Sequence, residues 1–447
     1  MKYNLLKSLF IISILIGTIA VSAQDEVLEL SLESAQELAL KNNFNVKNAL
    51  LDIDYANHQV NEVKSMGLPQ ISASGSFSNQ YEIATQVLPG DFFGAPGETV
   101  PVQFGVPFNI SGTATLNQLL FDGTFFLGLK AASEFVKVNE LLASKSEIDV
   151  KDGVLKAYYM ALIANSNVGQ LEKSLENIKK LKDETNAMYD AGFAEKLDVD
   201  RLILSASNLE ININNLKSQS ELAKKVLLNS MGLDVNQKVL LTSELPEFSE
   251  ENFAENYGLD FNKESRIEFQ MLEQQQELNE LDLKRWKMGY IPSLYGMINY
   301  GTNTFGTENN FGELGDDWYP NGMFALSLNV PIFDGFYKKS KTDQIKVNIA
   351  KTNNSIEQLS NGISLEVSQA RTVYSSAFKS LELQKKNVTL AEEIYKTTSI
   401  KFKEGVGSSF ELITAESDLT QARTNYLNAL YDLSVAKVSL DKALGKL

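Results

Sequence analysis

Residues 412–443 read LITAESDLTQARTNYLNALYDLSVAKVSLDKA. From Leu412, steps of three and four meet Ala415, Leu419, Ala422, Tyr426, Ala429, Leu433, Ala436, Leu440 and Ala443, so a large side chain alternates with alanine throughout. A three-four step keeps side chains on one helical stripe with a repeat of 3.5, the seam of a left-handed coiled coil. The alanines allow a neighbouring helix to approach closely. Immediately before the seam, Phe402-Lys-Glu-Gly405-Val-Gly407-Ser-Ser-Phe410-Glu411 is a glycine-punctuated turn at which a helix ends and the chain reverses.

The same unit occurs 213 residues earlier, where Gly192 stands for Gly405 within Tyr189-Asp-Ala-Gly192-Phe-Ala-Glu-Lys-Leu-Asp198. The seam positions become Val199, Leu202, Ala206, Leu209, Ile213, Leu216, Ser220, Ala223, Leu227 and Ser230, and Leu444-Gly445 mirrors Met231-Gly232. The chain is therefore a tandem duplication, with a period too long for a solenoid repeat.

Outward from the seams, each half has one plan. After Gln24, a helix with Ser31 as a candidate N-cap runs to about Met66 and stops at Gly67-Leu68-Pro69. The periodicity then switches to two. Ile71, Ala73, Gly75 and Phe77 alternate with serines, and Phe108, Ile110, Gly112, Ala114 and Leu116 alternate with Asn109, Ser111, Thr113, Thr115 and Asn117. Between these strands, 88–97 reads as a loop. Apolar-against-polar alternation fits either a soluble sandwich or a membrane barrel with a polar lumen. Phe121-Asp122-Gly123 leads into a proline-free helix to Asp190, about 100 Å long at 1.5 Å per residue. In the second half a helix over 264–288 leads to Pro292. Leu294, Gly296, Ile298 and Tyr300 mark a third strand, and Phe324, Leu326, Leu328, Val330 and Ile332 a fourth. Phe333-Asp334-Gly335 and a helix from Tyr337 to Lys403 follow.

Composition narrows the function. A net charge of −16, with no Lys/Arg-rich run, argues against nucleic acid as a partner. The absence of cysteine excludes thiolate catalysis and a cysteine-acylated anchor. The only histidine, His58, lies off the apolar stripe of its helix and is expected to be exposed. No nucleotide loop, metal cluster or nucleophile with a base is visible, so the sequence suggests no enzyme, cofactor or metal site. Lys2 and Lys7, the apolar 9–16 and the small residues before Gln24 read as a secretory signal peptide over 1–23. The expected domains are then a first structural repeat over 24–232, an acidic bridge over 233–263 and a second repeat over 264–447.

The order of these marks resembles the outer membrane efflux protein family, the TolC-like channels. The marks are Ala35, Ala39-Leu40 and Asn43, the strand starts at Pro69 and Pro292, and the two Phe-Asp-Gly strand exits. The glycine turns before Leu197-Asp198 and Phe410-Glu411, and the two Leu/Met-Gly ends, complete the set. The resemblance implies a mixed α and β fold in a homotrimer, with four strands per chain closing a 12-stranded barrel in outer-membrane lipid. A coiled-coil helical barrel would cross the periplasm, and the acidic bridge would be equatorial. It implies passive efflux beside a periplasmic adaptor (membrane fusion) protein and an inner-membrane transporter. The alternatives are the outer-membrane part of type I protein secretion, a periplasmic coiled-coil structural protein and a β-rich hydrolase. The loops 88–101 and 305–321 would lie outside the cell. Gly192, Phe193, Gly405, Val406 and Gly407 would form the tips that meet the adaptor. Asp198 and Glu411 would ring a periplasmic gate, or else simply start helices where the dipole favours acids.

Overall fold

The computed structural model describes residues 27–94, 96–257, 261–307 and 317–447. The signal peptide expected over 1–23, and residues 308–316 of the second long loop, lie outside them. The chain forms two compact units. One consists of Ala49–Ala143 and Ile267–Asn361, the other of the described parts of Met1–Asn48, Ser144–Arg266 and Gly362–Leu447.

In order, the elements are β1 (Leu28–Leu30), α1 (Leu32–Asn42), α2 (Phe44–Ser65), β2 (Gln70–Asn79), β3 (Thr85–Pro89), β4 (Thr99–Gln103) and β5 (Phe108–Phe121). The long α3 (Gly123–Asp190), the seam helix α4 (Lys196–Ser230), β6 (Val239–Leu241) and α5 (Glu250–Tyr257) follow. The second half gives α6 (Ile267–Met288), β7 (Ser293–Gly306), β8 (Tyr319–Asn329), the long α7 (Tyr337–Lys403) and the second seam helix α8 (Ser409–Ala443).

The first unit is organised by one antiparallel sheet in the order β2-β5-β7-β8. Its register follows the sequence alternation. Ile71 pairs with Leu116, which pairs with Ile298, which pairs with Phe324, so one apolar row crosses all four strands. Ser72, Thr115, Asn299 and Met323 form the neighbouring row on the other face. β2 and β8 are the two edges. Pro320 sits in β8, where a missing N–H costs no ladder bond on the open side.

The second unit is held by helix packing. Eight of the ten positions are buried in each seam; Ala422 and Tyr426 in α8, and Leu216 and Ser230 in α4, are only half-buried. The seam burial occurs within one chain. Leu427, Leu430 and Val438 are buried as well, so α8 buries a broader face than one stripe. A core of Leu30, Ala35, Ala39, Val154, Tyr158 and Leu227 lies at the other end of the seam helices from the glycine turns. There the Tyr158 hydroxyl donates to Leu30 O at 2.8 Å.

The helix ends explain several sequence marks. Gly192, Gly232, Gly405 and Gly445 all have φ between +71° and +79°, so each half ends its long helix and its seam helix in the same left-handed step. At Gly232 a Cβ would also come within 2.6 Å of Asn42 O, so only glycine fits. Asn43 Nδ2 donates to Ser230 O at 2.7 Å and satisfies the end of α4. Pro69 and Pro292 differ by 223 residues, and the same offset takes Asn43 to Arg266. Arg266 Nη1 donates to Ala443 O at 2.8 Å and so does the same for α8.

Several expectations change. The first helix breaks at Asn43, which turns extended to make its cap, instead of running unbroken to Met66. The 88–97 loop holds part of a β3–β4 hairpin around a short helical turn over Gly90–Phe93. The acidic bridge is not wholly irregular: it contains α5, and its β6 pairs in parallel with β1. The fourth strand ends at Asn329, so Val330 and Ile332 lie beyond it.

Ala429 is 5 % exposed in the seam, and a leucine there must overpack it. Ala429→Leu is expected to cost about 1–3 kcal/mol, read as a lowered thermal midpoint of helix unfolding. Ala422→Leu, at a half-buried position, should cost clearly less. Equal midpoints for parent and Ala429→Leu would show that the stripe is not tightly packed.

Candidate functional site

The four sheet strands contain no Asp, Glu, Lys or Arg. One face carries Ile71, Phe77, Ile298, Phe324, Leu326 and Leu328, all exposed in the single chain. The other carries mainly serine, threonine and asparagine, with Tyr295, Met297, Met323 and Ala325 among them on β7 and β8, and Ser76 and Ser111 share a hydroxyl hydrogen bond at 2.6 Å. An uncovered apolar face of this size is a surface made for an apolar medium or a partner. The opposite face can wet a conduit without binding an ion at a fixed site. Among the described residues no group of acids and histidine could hold a metal, and His58 is exposed.

The tips are built by the two glycine turns. Gly192, Phe193, Gly405 and Val406 are exposed, and Gly407 is half-buried. Phe193 and Val406, equivalent by the 213-residue offset, are 81 % and 78 % exposed, so each tip presents one apolar knob. Gly407 packs tightly, its Cβ direction meeting Phe402 N at 3.1 Å.

Asp198 and Glu411 both lie in the first turn of a seam helix. Their surroundings differ. The Glu195 N–H donates to Asp198 Oδ2 at 3.3 Å, and the buried Ser409 hydroxyl donates to Asp198 Oδ1. Asp198 thus ties the start of α4 to the start of α8. The Glu411 N–H donates to Ser408 Oγ at 3.2 Å, while its carboxylate is exposed. No hydrogen bond or ion pair joins Asp198 to Glu411 among the described residues.

Sequence reading passed over a third acid near the tips. Glu416 follows seam residue Ala415, is 3 % exposed, and its carboxyl oxygens make no well-formed hydrogen bond. It borders a groove of about 550 Å³ lined also by Arg201, Leu204, Phe410 and Ile413. Burial pushes its carboxyl above the ordinary range; the Ser174 hydroxyl, the Arg423 charge and the Tyr395 hydroxyl offset this only in part. One step off the seam stripe, it looked like a solvated acid in the sequence. Only the side chains of α3 and α7 reveal its burial.

The raised value sets the sign of a pH effect. Glu416 stays protonated in the fold after the unfolded chain has ionised, so its contribution favours folding at low pH and is lost as pH rises from the ordinary carboxylate value through the raised one. Glu416→Gln should therefore raise the thermal midpoint at pH 8, with the gain vanishing at pH 4. A gain that is equal at both pH values would contradict the buried neutral carboxyl.

The sequence matches the outer membrane efflux protein family over residues 35–233 and 263–446. It is similar to the outer membrane protein TolC of Salmonella enteritidis, at 20 % identity over 93 % of this chain and 82 % of that protein. It is likewise 20 % identical to the probable efflux pump outer membrane protein TtgC of Pseudomonas putida, covering 93 % and 83 % of the two chains. In fold it is similar to the Campylobacter jejuni CmeC outer membrane channel, with a TM-score of 0.70, 17 % identity and coverage of 93 % and 85 %. The Vibrio cholerae outer membrane protein VceC gives a TM-score of 0.67 at 15 % identity, covering 93 % and 96 %.

Proposed function

The chain belongs to the outer membrane efflux protein family, and on that premise we propose that it is an outer-membrane exit duct that passively conducts small molecules delivered from the periplasm or an inner-membrane transporter. The observation that carries this reading is the sheet: four uncharged strands, apolar on one face, mainly hydroxyl- and amide-bearing on the other, with open edges at β2 and β8. Lipid cannot satisfy an open backbone edge, so the strands need closure by other copies. Three copies would supply twelve strands and one closed barrel. Relatives named as efflux-pump outer membrane proteins favour efflux over protein secretion.

In this reading the apolar face meets lipid and the polar face lines a wet lumen. The duplicated halves, 24–232 and 264–447, each contribute two strands, and the bridge at 233–263 girdles the helices. The exposed knobs Phe193 and Val406, with Gly192, Gly405 and Gly407, dock a periplasmic adaptor. Three copies of Glu411 form a carboxylate ring at the periplasmic mouth, with Asp198 fixing the helix starts behind it. Like charges held together attract cations.

The purified protein should migrate as a heat-modifiable trimer from the outer-membrane fraction; a heat-insensitive monomer in the soluble fraction would overturn the duct. The hairpin at Gly90–Phe93 should face outward. Asp91→Cys is the suitable probe, because Gly94 has φ +78°. It should react with an impermeant maleimide on whole cells, and labelling only after lysis would reverse the orientation. In planar bilayers, Glu411→Gln should reduce both cation preference and block by a trivalent cation. If neither changes, Glu411 is a helix-start residue only.

A further inference from the structure

One end of the β7–β8 pair carries a charge pattern that neither conduction nor adaptor docking uses. The segments 284–295 and 329–341 flank this end, where Ser293 pairs with Asn329. Together they hold Lys284, Arg285, Lys287, Lys338, Lys339 and Lys341, against the single acid Asp334. In a chain of net charge −16 this is a local reversal of sign.

The cations are interleaved with aromatic rings. Arg285 lies over Trp286 at 5.7 Å, Lys338 over Tyr290 at 5.3 Å, Lys339 over Phe336 at 6.0 Å and Lys341 over Tyr337 at 5.8 Å. Two of the cations also have acid partners. Arg285 pairs with Asp282 at 2.7 Å and Lys338 with Asp334 at 3.1 Å. No ion pair holds Lys284, Lys287, Lys339 or Lys341 among the described residues. A pocket of about 350 Å³ opens here, with Arg285, Trp286, Tyr295 and Lys338 in its wall; the Asp122 carboxylate also lines it and accepts from the Tyr295 hydroxyl at 3.2 Å.

Beside the cations is an apolar strap that water does not explain. Ile332 is 93 % exposed, Phe333 75 % and Phe336 62 %. The duplication supplies an internal comparison. Offsets of 223 before the strands (Pro69 to Pro292) and 212 after them (Asp122 to Asp334) map Lys284, Arg285, Lys338, Lys339 and Lys341 onto Asn61, Glu62, Phe126, Leu127 and Leu129. Only Lys287 keeps its charge, as Lys64. The cations therefore belong to the second half and are not a by-product of the shared strand-to-helix plan.

We propose that this end of the β7–β8 pair is a binding surface for an anionic glycerophospholipid, the lysines and Arg285 meeting the phosphodiester head group while Ile332, Phe333 and Phe336 enter the acyl region. The strap and the cations lie side by side, as acyl chains and phosphates do at a bilayer surface. The assignment rests on the reading that the strands cross the outer membrane. It adds a lipid preference on the helix side of the barrel, repeated once per subunit.

The chain has two tryptophans, Trp286 and Trp318. Trp318→Phe leaves Trp286 as the sole reporter beside the cations. The full-length protein is reconstituted in phosphatidylcholine vesicles that contain an equal fraction of either brominated phosphatidylglycerol or brominated phosphatidylcholine. Brominated phosphatidylglycerol should be enriched at Trp286, by about fivefold for each basic residue that reaches the head groups. The K284Q/K287Q/K339Q/K341Q variant should lose that excess, and the matching arginine variant should keep it. Both should remain heat-modifiable, which shows that the barrel is intact. Equal quenching by the two lipids, or an excess that survives the glutamine changes, overturns the lipid site and leaves the duct standing. Loss of the excess on adding inorganic phosphate would make the surface a general anion site, which also overturns it. Quenching by neither lipid would remove this end from the membrane and sink the duct reading as well.

Discussion

A sheet edge is a row of backbone donors and acceptors, and lipid offers them nothing in return. The strands β2 and β8 leave such rows open, while β5 and β7 between them have a neighbouring strand on both sides. The four strands are uncharged and one face is apolar, so this chain's sheet suits a membrane yet cannot sit in one alone. In the proposed duct, closure by further copies would meet both demands together.

The helical unit depends on a different constraint. Helices of 68 and 67 residues must end cleanly, reverse and return in register. Left-handed glycines do this at both tips, and the seam helices pack back through a stripe of alternating large and small side chains. At the far end of each seam helix the last carbonyls would be buried without partners, were it not for Asn43 in one half and Arg266 in the other. Two residue types at equivalent positions thus meet one requirement. Arg266 has the longer reach and also pairs with Glu366 at 3.1 Å.

Much of this was legible in the residues. Period-two alternation marked the four sheet strands, and the Phe-Asp-Gly and Gly-Pro punctuation placed their ends within a few residues. The proline-free stretches set both long helices. The unread parts share a cause, which is dependence on contacts distant in sequence. β1 is three residues long and pairs in parallel with β6, Leu28 meeting Val239, so no local pattern announces it. The break at Asn43 follows from a bond to Ser230. The burial of Glu416 is not legible locally, because it depends on α3 and α7, which are distant in sequence. The basic residues at 284–341 are split by two strands and become one surface only when β7 and β8 pair.

The chain's lack of cysteine makes barrel closure directly measurable. β2 and β8 stand three strand spacings apart within one sheet, about 14 Å, beyond the roughly 7 Å that a disulfide can span. Ser74→Cys on β2, paired in turn with a cysteine at Met323, Ala325 or Ser327 on β8, can therefore bridge only between chains. Closure by neighbouring copies predicts that oxidation of membranes yields covalent dimers and trimers for at least one of the three registers, reversible by reductant. If all three pairs remain monomeric while their thiols stay reactive, the edges do not meet and the duct as described is wrong.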